Sequence, residues 1–178
     1  MPEAIQFGPF RQEHHETKFE NMRNITELNI NEKGKPVSRN PPSAEIINQF
    51  QSHFGVILPE AYIELLRHTN GGHPELGSIM PIGRPNAARW GVNRFYHLDD
   101  DKSSATSLWN VTEKWQKILG ENAIAFASDG GGNQFFIDMK TSPPSVKLCV
   151  HDENYAIVEI APSFEIFIDA LSFDPDMI

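Results

Sequence analysis

The chain has 178 residues, of which 39% are hydrophobic, and its 15 Lys and Arg against 24 Asp and Glu give a formal charge of −9. That length fits one domain, because single domains usually run to about 100–200 residues. The negative charge disfavours direct binding to nucleic acid or to an anionic membrane, and the single cysteine, Cys149, excludes an intrachain disulfide framework.

The start of the chain, MPEAIQFGPF, has neither the basic residues nor the apolar run of a signal peptide. No stretch approaches the roughly 18 consecutive apolar residues that a membrane-spanning helix needs. A single cysteine is typical of proteins in a reducing compartment. We therefore expect a cytoplasmic protein that does not enter the membrane.

The chain divides most clearly at Asn40-Pro41-Pro42. Residues 1–41 are polar and irregular, and they predict an N-terminal extension that is partly ordered, with one candidate strand at residues 25–30 followed by a turn. We place the folded domain over residues 42–173 and a short tail over residues 174–178.

Two helices are predicted after this boundary. Ser43 is suited to cap the first, and Gly55 follows its apolar stripe as a stop signal. The second begins near Pro59, whose missing N–H would be unsatisfied in a first helical turn anyway, and ends at Asn70-Gly71-Gly72. A pair of helices therefore precedes most of the predicted strands.

Two short strands, at residues 78–82 and 94–98, flank a long connection at residues 83–93. A third helix is predicted over residues 108–119, where apolar residues recur at positions i, i+3, i+7, i+10 and i+11. The serines that precede it offer capping hydroxyl groups.

From residue 123 onward the sequence predicts a series of strands with short links, and a last helix that starts near residue 162. Short links favour antiparallel neighbours. Helices first, then a strand meander and a closing helix indicate the α+β class in a single domain. The strands are predicted at residues 123–127, 134–139, 146–150 and 155–160.

Several short motifs follow one another in order between residues 43 and 171. No single motif is specific, since Asn-Gly-Gly ends many helices, but their order and spacing together are hard to obtain by chance. They are Phe54-Gly55, Leu58-Pro59-x-x-Tyr62, Asn70-Gly71-Gly72-x-Pro74, a Trp-bearing helix, residues 124–127 with residues 129–133, residues 134–138 and residues 161–167.

With these motifs the chain resembles the SUKH superfamily, which includes fungal cell-wall-synthesis regulators of the Smi and Knr type and many bacterial toxin-immunity proteins. The resemblance implies an α+β fold whose central, mainly antiparallel and twisted sheet has about six strands and carries about four helices. It also implies a role in binding other proteins. The motifs themselves have architectural tasks, so the surface that contacts a partner is expected in other loops.

We therefore expect a non-enzymatic protein-binding domain that resembles an immunity protein and neutralises a cognate toxin. The partner would be a protein such as a basic toxin domain, and the chain itself a monomer or weak homodimer, with no cofactor and no metal. A cytoplasmic regulatory adaptor of the cell-wall-synthesis-regulator type is the alternative. A hydrolase that uses Asp129, Asp138 and His151 is a remote one.

Three arginines surround a tryptophan in the connection between the two short strands. Arg84, Arg89, Trp90 and Arg94 have the composition of an interaction hot spot, in which Trp and Arg are enriched. The alternative is that Trp90 folds into the core and the arginines pair with nearby acids. We take these four residues as the first candidate binding surface.

Acidic residues supply the second candidate, at Asp99-Asp100-Asp101 and at the turn residues Asp152 and Glu153. Carboxylates can mimic the phosphates that a basic toxin binds, and complementary charge speeds association. The alternative is that these residues are only solvated turns.

Other groups invite a chemical interpretation, but a structural one is favoured for each. Asp129-Gly-Gly-Gly-Asn133 lacks the lysine of a phosphate loop and the spaced carboxylates of a calcium loop, so it predicts a turn between strands. Cys149 and His151 would lie about 6.5–7 Å apart along a strand, too far for a nucleophile and its base, so a buried core cysteine is expected. No pair among the scattered histidines, which include His14 and His15, has a recognised zinc spacing.

Overall fold

The computed structural model describes residues 22–177, and four α-helices form within them. They are α1 (Ala44–Phe54), α2 (Glu60–His68), α3 (Leu108–Leu119) and α4 (Phe164–Ala170). As predicted, Ser43 caps α1 through a hydrogen bond of 3.2 Å from Ile46 N to Ser43 Oγ, and Gly55 ends it with a φ of 65°. None of the helices in residues 22–177 is long and apolar enough to cross a membrane.

Nine strands of the described residues form three antiparallel sheets. The strands are β1 (Asn31–Glu32), β2 (Lys35–Pro36), β3 (Ser78–Ile79), β4 (Trp90–Gly91), β5 (Arg94–Phe95), β6 (Ala123–Ser128), β7 (Gln134–Asp138), β8 (Ser145–Val150) and β9 (Ala156–Ala161). The central sheet has the order β5-β6-β7-β8-β9, and every neighbouring pair in it is antiparallel. The α+β class is confirmed, but the central sheet has five strands instead of the six expected.

The missing strand is the segment predicted over residues 78–82. Only β3 forms there, and it pairs with β4 in a sheet of its own, with Ile79 opposite Trp90. Pro81 has no N–H to donate to a ladder, and Ile82 N donates to the O atom of Ile160 at 2.8 Å. Among the described residues, the segment therefore forms a backbone hydrogen bond with the central sheet only at one end of β9.

The strand predicted at residues 25–30 is also corrected. Ile25–Leu28 form a 3-10 helix, because Asn24 caps it by accepting a hydrogen bond of 3.0 Å from Thr26 N at its Oδ1. Extended structure begins at Asn31, where β1 and β2 form a hairpin.

This hairpin and the 3-10 helix before it pack against the rest of the domain and form backbone hydrogen bonds with it. Leu28 is fully buried in the core, and its O atom accepts a hydrogen bond of 2.9 Å from Glu75 N. Asn31 and His73 exchange both of their backbone hydrogen bonds, at 2.9 and 2.8 Å. Residues that precede the boundary predicted at residue 41 therefore contribute to the same core.

The central sheet is covered on both faces. On one face α2 and α4 contribute an aromatic cluster in which the ring centroid of Phe126 lies 5.3 Å from those of both Phe164 and Phe167. On the other face α3 packs mainly along β6, and the ring of its Trp115 lies 6.4 Å from that of Tyr155. Because α3 follows β6, it leaves the part of its face near β9 partly open, where Ile157 is 47% exposed.

Asn70-Gly71-Gly72 follows α2 and turns the chain, as predicted. Both glycines have positive φ, 91° at Gly71 and 103° at Gly72, which other residues adopt at a cost. A Cβ on Gly72 would lie only 2.7 Å from Cγ2 of Val37. The motif therefore requires glycine both for backbone conformation and for space.

Candidate protein-binding surfaces

Most of the connection between β3 and β4, which we call the arginine loop (residues 82–89), carries two exposed arginines. Arg84 and Arg89 form no ion pair with any of residues 22–177. Arg89 Nη1 donates only long hydrogen bonds, of 3.3 Å to Ser78 Oγ and 3.4 Å to Ser172 Oγ. Their guanidinium groups are therefore available for contacts with another molecule.

Two exposed apolar side chains accompany these arginines. Ile82 is 43% exposed at the start of the arginine loop, and Phe173 is 64% exposed. Ser78 and Ser172 exchange backbone hydrogen bonds, both of 2.9 Å, which hold Phe173 next to β3. Sequence reasoning missed both residues. Ile82 ends the strand predicted at residues 78–82 and Phe173 lies beyond the last predicted helix, so no pattern assigns either side chain to the surface.

Trp90 and Arg94 follow the structural alternative. Trp90 is half-buried in β4 and packs against the core. Arg94 Nη1 lies 3.0 Å from Glu32 Oε1, and Arg94 Nη2 donates a hydrogen bond of 2.7 Å to His73 Nε2. This network joins the β1–β2 hairpin to β5, so Arg94 has a structural partner that Arg84 and Arg89 lack among the described residues.

The acidic loop (residues 99–101) follows β5 and is fixed by its own carboxylates. Asp101 Oδ1 accepts hydrogen bonds of 2.9 Å from Ser103 N and 2.7 Å from Ser103 Oγ, and these bonds hold the pKa of Asp101 below its ordinary value. Asp99 Oδ1 accepts a hydrogen bond of 3.0 Å from Asp101 N, and Asp99 Oδ2 lies 3.1 Å from Arg39 Nε. Asp100 is exposed, and its side chain makes no hydrogen bond or ion pair within residues 22–177.

A tryptophan supports the acidic loop from below. Trp109 Nε1 donates a hydrogen bond of 3.0 Å to the O atom of Asp99, and Lys102 Nζ lies 4.2 Å from the centre of the Trp109 ring. Beside them is a shallow depression whose lining comes mainly from α1. The lining residues are Glu45, Asn48, Gln49, Ser52, His53, Lys102 and Trp109.

His97 lies beneath the acidic loop and is almost completely buried, with 2% of its surface exposed. Its Nε2 is 3.7 Å from Asp99 Oδ1, and its Nδ1 is 3.3 Å from Thr106 Oγ1. Burial lowers the pKa of His97, and the charge of Arg39 acts in the same direction. The imidazole is therefore held neutral under the loop at neutral pH.

The acidic turn (Asp152 and Glu153) joins β8 to β9, and both side chains are exposed. β5 and β9 are the two edges of the central sheet, so the acidic loop after β5 and the acidic turn before β9 lie at opposite edges. The arginine loop meets the far end of β9, where Ile82 N donates to Ile160 O. The structure therefore separates the predicted acidic residues into two places and puts the arginine loop and the acidic turn at the two ends of one strand.

Asp138 is held apart from the other two residues of the remote hydrolase alternative. Asp129 and His151 are linked through Asn133, whose Nδ2 donates to Asp129 Oδ2 at 2.7 Å and whose Oδ1 lies 2.8 Å from His151 Nδ1. Asp129 Oδ1 also accepts hydrogen bonds from the turn backbone, as predicted, at 2.8 Å from Asn133 N. Asp138 is at the far end of β7, about 13 Å along the strand from its first residue, and Lys147 Nζ lies 2.7 Å from its Oδ2.

Cys149 is buried in β8, and its burial raises the pKa of the thiol. This agrees with the prediction of a core cysteine. Among residues 22–177, no group of three or more His, Cys, Asp and Glu side chains is arranged to hold a metal ion. His14 and His15 lie outside the described residues.

The sequence and the structure of this chain are similar to those of known proteins. The model of a family described as SMI1 / KNR4 family (SUKH-1) matches residues 41–170. A crystal structure of a protein from Pseudomonas syringae pv. tomato is similar at 16% identity and a TM-score of 0.45, over 71% of this chain and 80% of that one. No curated protein matches the chain.

Proposed function

Because the chain belongs to the SMI1 / KNR4 family (SUKH-1), we propose that it is a non-enzymatic protein-binding domain that neutralises a cognate toxin, as immunity proteins of the wider superfamily do. The match spans all four α-helices of the described residues and the whole central sheet. The match supports the fold of the domain, and the exposed acidic loop supports the contact with a toxin. A cytoplasmic location is part of the proposal and is supported by the single, buried cysteine.

The main support for toxin binding is the acidic loop. Its two flanking carboxylates are already fixed, Asp99 by Arg39 and Asp101 by Ser103, so the loop does not have to be ordered when a partner binds. Pre-organised groups retain more of their interaction energy on association. A basic toxin domain would therefore meet negative charge in a preformed arrangement, with Asp100 projecting from its centre.

The toxin would be neutralised because the acidic loop occupies its substrate-binding surface. A toxin that acts on nucleic acid binds phosphates with basic side chains, and carboxylates held on an inhibitor compete for the same side chains. Trp109 and the α1 side chains around it supply a polar and aromatic floor beside the acidic loop. Such a surface needs no chemistry from the inhibitor itself.

A binding role without catalysis is supported by the engagement of the groups that could react. Asp129 and Asn133 build the β6–β7 turn, Asp138 is paired with Lys147, and Cys149 is buried. These side chains therefore stabilise the fold through a turn, an ion pair and core packing.

The test is coexpression of the chain with the toxin of the same source, scored by growth and by the binding of the purified proteins. Asp100→Lys should reduce the association rate by about tenfold or more and abolish protection, because reversal of an exposed complementary charge acts mainly on association. Glu75→Lys makes the same change of charge at another exposed position and should protect like the natural chain. Equal protection by Asp100→Lys would remove the acidic loop from the function, and absence of rescue with any toxin of that source would remove the function itself.

A further inference from the structure

β9 is the last strand of the central sheet, and β8 pairs with it on one side only. No other strand in residues 22–177 pairs with its second side. The contact there is the single hydrogen bond from Ile82 N to Ile160 O. Residues 156–159 therefore present an uncovered edge, which is the part of a sheet that most readily pairs with another chain.

Exposed apolar side chains accompany this edge. Tyr155 is 46% exposed, Ile157 is 47% exposed, and Ile118 on α3 is 42% exposed beside them. These three residues border a groove that also reaches Leu119 and Phe136. Edge strands that stay unpaired usually carry charge or proline. The charged residue in the free part of β9, Glu159, lies 3.2 Å from Lys147 Nζ at its Oε1, and the middle of that part carries an isoleucine.

Opposite charges lie at the two ends of the same strand. The acidic turn precedes β9, and the arginine loop touches its C-terminal end. Within residues 22–177, Asp152, Glu153, Arg84 and Arg89 make no ion pair. A second strand laid antiparallel on β9 would need acidic groups before it and basic groups at its C-terminal end, and a second copy of β9 has both.

We propose that two copies of this chain associate through their β9 strands, antiparallel about a two-fold axis near Ile157 and Val158. The two central sheets then form one continuous sheet, and the acidic turn of each copy faces the arginine loop of the other. An interface of this kind is isologous, with the same patch used on both sides. A parallel arrangement would instead bring like charges together, which disfavours it.

The association is weak, because the free part of the edge is short and each copy carries a net charge of −9. Cross-strand side-chain pairs over so short an edge stabilise a pairing only modestly, so the ion pairs at the two ends decide whether the dimer forms. A second copy fits better than a foreign strand, since its charges match at both ends without any further requirement.

Analytical ultracentrifugation of the full chain over a concentration series tests the proposal. We expect a reversible monomer–dimer equilibrium and, for Ile157→Lys, a dissociation constant raised by about tenfold or more, because like charges then meet across the axis. Ile57→Lys is the matched control, since Ile57 is 84% exposed in the connection between α1 and α2, away from β9.

A charge exchange tests the orientation. Arg84→Glu with Arg89→Glu should give a monomer, because acidic groups then face each other at both ends, and adding Asp152→Arg with Glu153→Arg should restore the dimer. Lys33→Glu with Lys35→Glu changes the same charge on the β1–β2 hairpin and should leave the equilibrium unchanged.

A chain that stays monomeric up to about 1 mM, or a dimer that is indifferent to Ile157→Lys, overturns the proposal. Circular dichroism of every variant separates loss of association from loss of fold.

Discussion

The carboxamide of Asn70 forms hydrogen bonds with both backbone groups of Leu98. Asn70 Nδ2 donates to Leu98 O at 2.8 Å, and Leu98 N donates to Asn70 Oδ1 at 2.8 Å. The same Nδ2 also donates to Asn40 O at 2.9 Å. A residue that reads in the sequence as a helix stop thus holds the segment that leads into the acidic loop.

Asn70→Ala should lower the free energy of unfolding by about 3 kcal/mol, because buried backbone groups left without a partner each cost roughly 1–3 kcal/mol. Asn70→Asp should also destabilise, since a carboxylate cannot donate the two bonds that Nδ2 makes. Urea unfolding followed by tryptophan fluorescence measures both. Asn48→Ala, at an exposed position of α1, is the control, and a loss at Asn70 no larger than that of the control would contradict this account.

Gly72→Ala should destabilise the domain by about 2 kcal/mol or more, since a left-handed backbone costs roughly 1–2 kcal/mol for an alanine and the new Cβ meets Val37. Gly130→Ala is the matched control, because a Cβ there has no atom within 4 Å and the φ of Gly130 is not positive. Thermal unfolding of the two variants makes the comparison. Equal melting temperatures would show that the chain relaxes around Gly72.

Stability should fall as the pH drops below about 6.5, the ordinary pKa of histidine. His97 has a lowered pKa in the folded state, so the unfolded chain binds the proton more readily and acid favours unfolding. The contribution is fully present above that pH and is lost toward the lower pKa of the folded state. Arg39 and Arg94 oppose the charged form of His97, while Asp99 and Asp101 favour it.

Urea unfolding at several pH values between about 5 and 8 measures this dependence. His97→Gln should flatten the slope, whereas His68→Gln, at an exposed position, should leave it unchanged. An unchanged slope in His97→Gln would assign the acid sensitivity to other groups.

Cys149 should react with a thiol reagent far more slowly in the native chain than in the unfolded chain, because the thiol is fully buried and its pKa is raised. Labelling by a chromogenic disulfide, with and without urea, gives both rates. Fast labelling of the native chain would mean that β8 opens readily.

Local signals allowed much of the fold to be predicted. Ser43 and Gly55 mark the ends of α1 by their own chemistry, and the short links after residue 123 require antiparallel neighbours. The 3-10 helix at Ile25–Leu28 was missed because Ile25, Leu28 and Ile30 also fit a strand. The separate β3–β4 sheet was missed because the pairing of two-residue strands is not fixed by their own residues.

The sequence allowed the candidate surfaces to be chosen by residue type, but it did not show which of their side chains are paired and which are free. Arg94 looked equivalent to Arg84 in the sequence, but its partner Glu32 lies 62 positions away. The exposure of Ile157 carried a faint signal, because strand residues alternate and Ile157 therefore shares a face with the charged Glu159. No pattern revealed that the acidic turn and the arginine loop meet the same strand.

The β1–β2 hairpin lies upstream of the segment shared with the family, yet Glu32, Asn31 and the buried Leu28 are joined to β5 and to the turn after α2. The family match and the folded core thus begin at different residues in this chain. Removal of everything before residue 41 would keep the whole matched segment, but it would take Leu28 out of the core and break the ion pair between Glu32 and Arg94. The unit that folds is therefore longer than the segment that the family model matches.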